Sequence, residues 1–289
     1  MLERTARPLA GLWNGIAGVV NAFYRALGSP GKLLQDFLNG SWLGHSLHAV
    51  LVDVVIGAST AAVLLEVLSW FGVTGLHTAM LWTLALTWLA GLSAIVAGLT
   101  DFKDTATGNE RNIAGLHGTI NIIATVGFVL AFLADLGSTD GTTVGAVLLI
   151  GSYLVLSGGA YIGGHVVFKY GYMVNRNAFT RGRRAPEFTA VLPAASLPEA
   201  TPTKAMLGAT TLVLVRRGDV VYALKENCTH AGGPLAEGRL EGDTIVCPWH
   251  SSAFRLSDGA VRHGPASSRQ VAYRARINAD QVEVQGPIE

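Results

Sequence analysis

The chain has 289 residues, of which 50% are hydrophobic and 14% charged, with a formal net charge of +1 at pH 7. Such a composition is too apolar for a soluble protein of this size, and with no basic patch interleaved with aromatics it excludes nucleic acid as a partner. Charge is also uneven: residues 44–166 contain only Lys103 and Arg111 as cationic side chains. That pattern predicts a multidomain chain, with an all-α four-helix transmembrane bundle followed by a small all-β domain.

Residues 1–40 carry Leu9, Leu12, Ile16, Val20, Phe23 and Leu27 at helical spacing. Asn14, Gly15 and the bulky aromatics argue against a signal peptide. Ser29-Pro30 reads as the cap and first position of a second short helix, with Leu33, Leu34, Phe37 and Leu38 on one face. Both helices are expected to lie on the bilayer surface, a packed arm being the alternative. Residues 41–171 form the transmembrane domain, with apolar segments at about 44–72, 78–100, 113–136 and 142–168. Small residues at four-residue spacing, Ala90, Ala94 and Gly98 on the second segment and Gly159 and Gly163 on the fourth, predict close helix contact.

Cations near the membrane are Arg25, Lys32, Lys103, Arg111, Lys169, Arg176, Arg181, Arg183 and Arg184, and the first and third interhelical loops contain none. By the positive-inside rule both termini and the C-terminal domain are expected in the cytoplasm of a bacterial cell, with the chain multi-pass in its inner membrane. Residues 172–187 read as a basic linker near anionic headgroups. From 188 to 289 the pattern becomes short alternating runs broken by Gly, Pro and Asp: Thr211–Val215, Val220–Leu224, Thr244–Cys247 and Gln281–Gln285.

That domain contains the chain's only two cysteines, in Cys228-Thr-His230 and, sixteen residues on, Cys247-Pro-Trp-His250. Two thiolates and two imidazoles suit either a tetrahedral zinc or a [2Fe–2S] cluster with two sulfur ligands on one iron and two nitrogens on the other. One cysteine and one histidine on each loop favours the binuclear cluster. The surrounding run, Val221-Tyr-Ala-Leu, Cys228-Thr-His-Ala-Gly-Gly-Pro-Leu235, Gly242-Asp243, Cys247-Pro-Trp-His-Ser-Ser-Ala-Phe254 and Gly264-Pro-Ala266, resembles a Rieske [2Fe–2S] ferredoxin-type domain. The resemblance implies Cys228, His230, Cys247 and His250 as cluster ligands, and Ser252 as a donor to a bridging sulfide. Respiratory Rieske proteins carry an extra cysteine in each loop and a tyrosine near a ligand sulfur; here Gly233, Trp249 and Phe254 stand in those places. A low to intermediate potential follows, and quinol oxidation of the respiratory type is not expected.

A second constellation lies at the cytoplasmic edge of the bundle: His45 and His48, His117 with Asn121, and His165 in a stripe with Ser157 and Tyr161, while His77 lies at the opposite face. Asp53 and Glu66 are expected to point to the same interior. His48, His117 and His165 are the candidates for a haem b or quinone site, with interfacial histidines bound to backbone as the alternative. His263, next to the Gly264-Pro-Ala266 loop, is expected to be an exposed loop histidine, with tuning or proton relay at the cluster edge as the alternative. Residues 40–175 resemble a family of four-helix bacterial membrane proteins of unknown function through Gly44-His-x-x-His48, Val52-Asp53, His117-Gly118 and Gly163-Gly164-His165. The expected function is electron transfer between a soluble redox protein or reductase and a haem b or quinone in the membrane. A membrane-anchored redox sensor or assembly factor is the alternative, and a Rieske oxygenase component a more distant one.

Overall fold

The computed structural model describes residues 2–179 and 185–288, so Arg181, Arg183 and Arg184 lie outside the described residues. It divides into two compact units, Met1–Gly31 with Leu47–Tyr172, and Lys32–Ser46 with Met173–Glu289. The helices in chain order are α1 (Leu2–Ala6), α2 (Ala10–Leu27), α3 (Ser29–Asn39), α4 (Leu47–Trp70), α5 (His77–Phe102), α6 (Asn109–Asp135) and α7 (Thr143–Gly164), the last continued by a π-helical turn, His165–Lys169.

In the first unit, among the described residues, α4 to α7 are the four helices long and apolar enough to cross a membrane. At about 1.5 Å per residue they exceed the roughly 30 Å hydrocarbon core. α4 packs on α5, α5 on α6 and α6 on α7, and α4 meets α7 to close the bundle. Val55, Met80, Leu84, Phe128, Leu149 and Leu156 fill its centre, while Trp82, Val96, Val126 and Leu154 are exposed on its outside, where lipid would cover them. At the end of the bundle opposite His48 and His117, buried Asp135 accepts both the Thr142 N–H (2.8 Å) and its Oγ1–H (2.7 Å), while Thr142 Oγ1 caps α7 through the Gly145 N–H.

The amphipathic N-terminal helix is a packed element rather than one resting on lipid alone. α2 buries Trp13, Ala17 and Tyr24, and a Cβ on Gly115 of α6 would meet the Trp13 ring at 2.4 Å. The Tyr24 hydroxyl bonds Thr100 Oγ1 at 2.6 Å. Lys103, one of the orienting cations, is buried beside Asp104 Oδ2 at 2.5 Å. The opposite side of α2 still exposes Leu12, Val19 and Phe23.

The second unit is a β domain joined by the C-terminal part of α3. Its strands are β1 (Ala185–Pro193), β2 (Thr203–Leu207), β3 (Thr210–Arg217), β4 (Val220–Lys225), β5 (Arg239–Glu241), β6 (Thr244–Val246), β7 (Ala253–Arg255), β8 (Val261–His263), β9 (Ala272–Asn278) and β10 (Gln281–Gly286). They form a six-stranded sheet, β1-β10-β9-β4-β3-β2, and a four-stranded sheet, β5-β6-β7-β8, antiparallel throughout. β3 is the wall between two cores because its side chains alternate. Leu212 and Leu214 face one cluster with Val282 and Val284, and Val213 and Val215 face another that contains Phe254, Leu256, Cys228 and Cys247. The ligand loops therefore spring from a packed apolar base.

Candidate metal centre

The loop after β4 carries Cys228 and His230, and the loop between β6 and β7 carries Cys247 and His250. The two loops fold by the same backbone device. In the first, the Cys228 N–H donates to Gly233 O (2.9 Å) and the Gly232 N–H to Cys228 O (2.9 Å). In the second, the Cys247 N–H donates to Ser252 O (2.8 Å) and the Ser251 N–H to Cys247 O (3.1 Å). The fourth residue after each cysteine is left-handed, Gly232 at φ 83° and Ser251 at φ 64°. This tight turn aims backbone N–H groups at sulfur: those of His230 and Ala231 at Cys228, and those of Trp249 and His250 at Cys247. The contact with the Cys247 thiol and burial push Cys228 well above the ordinary thiol range, while the same contact holds Cys247 down at about 7. Both cysteines are buried, and the His230 and His250 rings lie 5.0 Å apart at 89°.

These residues fit a [2Fe–2S] cluster. Two imidazoles on one tetrahedral metal, each bonded at about 2.0–2.1 Å, have ring centroids about 5 Å apart. Two buried thiols supplied with N–H donors suit the buried iron. Gly233 keeps the cradle open, since a Cβ there would stand 2.8 Å from Cys247 Sγ and 3.1 Å from the Trp249 ring.

The third loop, Gly264-Pro-Ala266, is tied to the second, because Ser252 Oγ accepts the Ala266 N–H at 3.0 Å. Beneath the first loop, buried Gln270 donates to Lys225 O and Asn227 O, both at 2.7 Å. Asn177, within the stretch read as a tether, is also buried and donates to Asn227 O (2.8 Å) and Gln270 Oε1 (2.7 Å). His263 is not the exposed loop histidine that the sequence suggests. Its side chain is 17% exposed, and its Nδ1 lies 2.7 Å from Asp36 Oδ1 of α3. The same oxygen accepts the Gly264 N–H at 2.7 Å. Sequence reasoning missed Asp36 because 227 residues separate it from His263 and α3 reads as a simple amphipathic helix.

In the bundle, the structure brings His48 and His117 together and leaves the other candidates apart. Their rings are 6.3 Å apart at 88°. His165 belongs to an outward stripe instead: its ring lies 5.1 Å from the exposed Tyr161, and Ser157 is exposed one turn earlier. Asp53 is exposed and Glu66 accepts a hydrogen bond from Trp70 on its own helix (2.9 Å), so neither joins the interior. His45 is exposed, and His77, half-buried with its ring nitrogens covered, sits against Gly141 at the far end.

Comparison with known proteins agrees with the geometry of the ligand loops. Residues 187–276 match the family model described as Rieske [2Fe-2S] domain. Ferredoxin CarAc of Metapseudomonas resinovorans is 35% identical over 80 residues, 28% of this chain and 75% of that protein. The chain belongs to the Rieske [2Fe–2S] family. The anthranilate 1,2-dioxygenase ferredoxin subunit of Burkholderia cepacia is 30% identical over 86 residues, 30% of this chain and 80% of that subunit. Among solved structures, the ferredoxin of carbazole 1,9a-dioxygenase from Nocardioides aromaticivorans is 27% identical, covers 34% of this chain and 96% of its own, and has a TM-score of 0.33. Residues 44–176 match a second model, described as predicted membrane protein (DUF2231). A Rieske domain, with the electron-transfer role and iron–sulfur cofactor of that family, is thus joined to a membrane domain. The Rieske domain of this chain has Phe254 wholly buried behind the ligand loops, in the apolar core that also holds both cysteines.

Proposed function

We propose that this is a membrane-anchored electron-transfer protein of the bacterial inner membrane, with its Rieske domain on the cytoplasmic side. It exchanges single electrons between a soluble redox protein or reductase and a haem b or quinone in the four-helix domain. The observation that carries this reading is the pair of matched loops, each with a buried, N–H-supplied thiol, beside two imidazoles 5.0 Å apart. Cys228 and Cys247 would hold the inner iron, and His230 and His250 the outer one. The bound cluster supplies one reversible electron. Ser252 fixes the third loop through its oxygen, which leaves its hydroxyl proton to point at a bridging sulfide and raise the potential. Trp249 is 57% exposed next to His250 and offers an apolar landing for a partner at the tip of the domain. The relative that is the ferredoxin subunit of anthranilate 1,2-dioxygenase supports a soluble redox partner. The cytoplasmic orientation rests on the clustering of Lys and Arg at one set of loops.

The test is anaerobic purification in detergent with iron and acid-labile sulfide assays and EPR of the dithionite-reduced protein. Two irons and two sulfides per chain and a rhombic reduced signal are expected, both lost in Cys228→Ser and Cys247→Ser. A protein without labile sulfide, or with one tetrahedral zinc, would end this reading. Labelling of a cysteine introduced into the exposed β9–β10 turn checks the side: protection in intact spheroplasts is the expected result.

A further inference from the structure

The two helical hairpins of the membrane domain each present one imidazole in the same way. His48, at the start of α4, has Nδ1 2.8 Å from Ala94 O on α5. Its ring lies over Gly98, where a Cβ would stand 2.9 Å from Cε1 and Nδ1. His117, in α6, has Nδ1 2.8 Å from Gly159 O on α7. Its ring lies over Gly163, where a Cβ would stand 2.7 Å from Cε1. In both hairpins the accepting carbonyl belongs to the residue four positions before the glycine. Gly98 and Gly163, which read as helix-contact positions, therefore make room for a neighbour's imidazole. A carbonyl can only accept, so Nδ1 carries the proton in each ring and the Nε2 lone pair remains for another partner. Asn121, one turn on, has its own bond, Nδ2 donating to His117 O at 2.7 Å.

The spacing of the two rings identifies the kind of partner. With metal–nitrogen bonds of about 2.0–2.1 Å, imidazoles on opposite sides of one metal have centroids about 6–6.5 Å apart. The observed separation is 6.3 Å. A bare cation would need further protein ligands, and among the described residues no third His, Cys, Asp or Glu joins His48 and His117. The metal must bring the rest of its coordination with it, as a tetrapyrrole iron does with four in-plane nitrogens. Thioether attachment is ruled out because the only cysteines, Cys228 and Cys247, belong to the Rieske loops.

We propose that His48 and His117 are the two axial ligands of a non-covalently bound haem, one from each hairpin of the bundle. His165 takes no part. The assignment deepens the electron-transfer reading and rests on it for its purpose, although the ring geometry stands alone.

The test uses the full chain in detergent, stripped of haem and titrated with ferric protoporphyrin IX, followed by absorption and EPR. Wild type and His165→Ala are expected to saturate at one haem per chain with a six-coordinate low-spin spectrum. His48→Ala and His117→Ala are expected to bind at least ten-fold more weakly and to lose the low-spin signal. His117→Met is expected to restore six-coordination with a shifted spectrum, which loss of folding would not permit. The reduced Rieske EPR signal, measured in every variant, serves as the folding control. An absence of saturable low-spin binding in wild type, or spectra unchanged in both alanine variants, overturns the haem site and leaves the Rieske reading intact. A low-spin haem in a protein without the cluster signal would instead overturn the Rieske reading and support the haem site.

Discussion

Two pairs of imidazoles face one another at nearly a right angle in this protein, 89° for His230 and His250 and 88° for His48 and His117. Their centroid separations, 5.0 Å and 6.3 Å, are those of two ligands at a tetrahedral angle and two ligands opposite each other on a metal. The supports differ in kind. Ring placement in the Rieske loops comes from left-handed residues, Gly232 and Ser251, on turns anchored by strands. In the bundle it comes from helix spacing, with a glycine opposite each ring to admit it. The same imidazole chemistry is thus held by turn geometry in one half and by the bare helix surface of a neighbour in the other.

Each half can be broken without the other. The largest effect is expected for Gly233→Ala. The added methyl would press on Cys247 Sγ at 2.8 Å, and the sulfur cannot move without losing its N–H donors. Cluster content by iron and sulfide assay should fall several-fold, while haem titration is unchanged. Gly163→Ala comes next. Its methyl would meet the His117 ring at 2.7 Å, and the ring can swing aside only by giving up its hydrogen bond to Gly159 O, so thermal unfolding should show a loss of about 1–3 kcal/mol. The low-spin haem spectrum should also weaken, because a displaced His117 no longer stands opposite His48. Equal loss of both spectra in either variant would show that the two centres are not separately built.

Asp36→Ala removes the acceptor of the Gly264 N–H and the partner of His263. Hydrogen bonds to a charged group contribute about 1.5–3 kcal/mol, so denaturant unfolding followed by cluster absorbance should show a loss of that order. Asp36→Asn, which keeps an oxygen for Gly264, should lose less. The smallest effect is expected at Asp258. Its hydrogen bond with Arg255 (Nε to Oδ1, 2.7 Å) holds the carboxyl at about 2, below its usual 3.8. A depressed carboxylate stabilises the fold above its unfolded value and loses that contribution as pH falls through the folded one. The gap between wild type and Asp258→Asn should therefore close between about pH 4 and pH 2. Both partners are about a third exposed, so the gap is only about 0–1 kcal/mol.

Several features were legible from residues alone because they depend on local pattern. The cluster motif, four long apolar helices and the alternating strands are written in spacing and period. The expected strand Thr211–Val215 lies inside β3, and Val220–Leu224 inside β4. Elsewhere local pattern pointed the wrong way. Ser157, Tyr161 and His165 share a face at helical spacing, yet spacing does not say which face turns outward. Gly98 and Gly163 read as contacts between backbones, but only the neighbouring helix shows that an imidazole occupies the space they leave.

The sequence by itself determined a Rieske domain and a membrane domain with four long apolar helices, because each follows from residue type and from short-range spacing. Only the tertiary structure decided which histidines meet, that Asp36 reaches the third loop, and that Asn177 is buried beneath the first. Those contacts join residues from 46 to 228 positions apart, and the energy that pairs them comes from packing that no local pattern encodes.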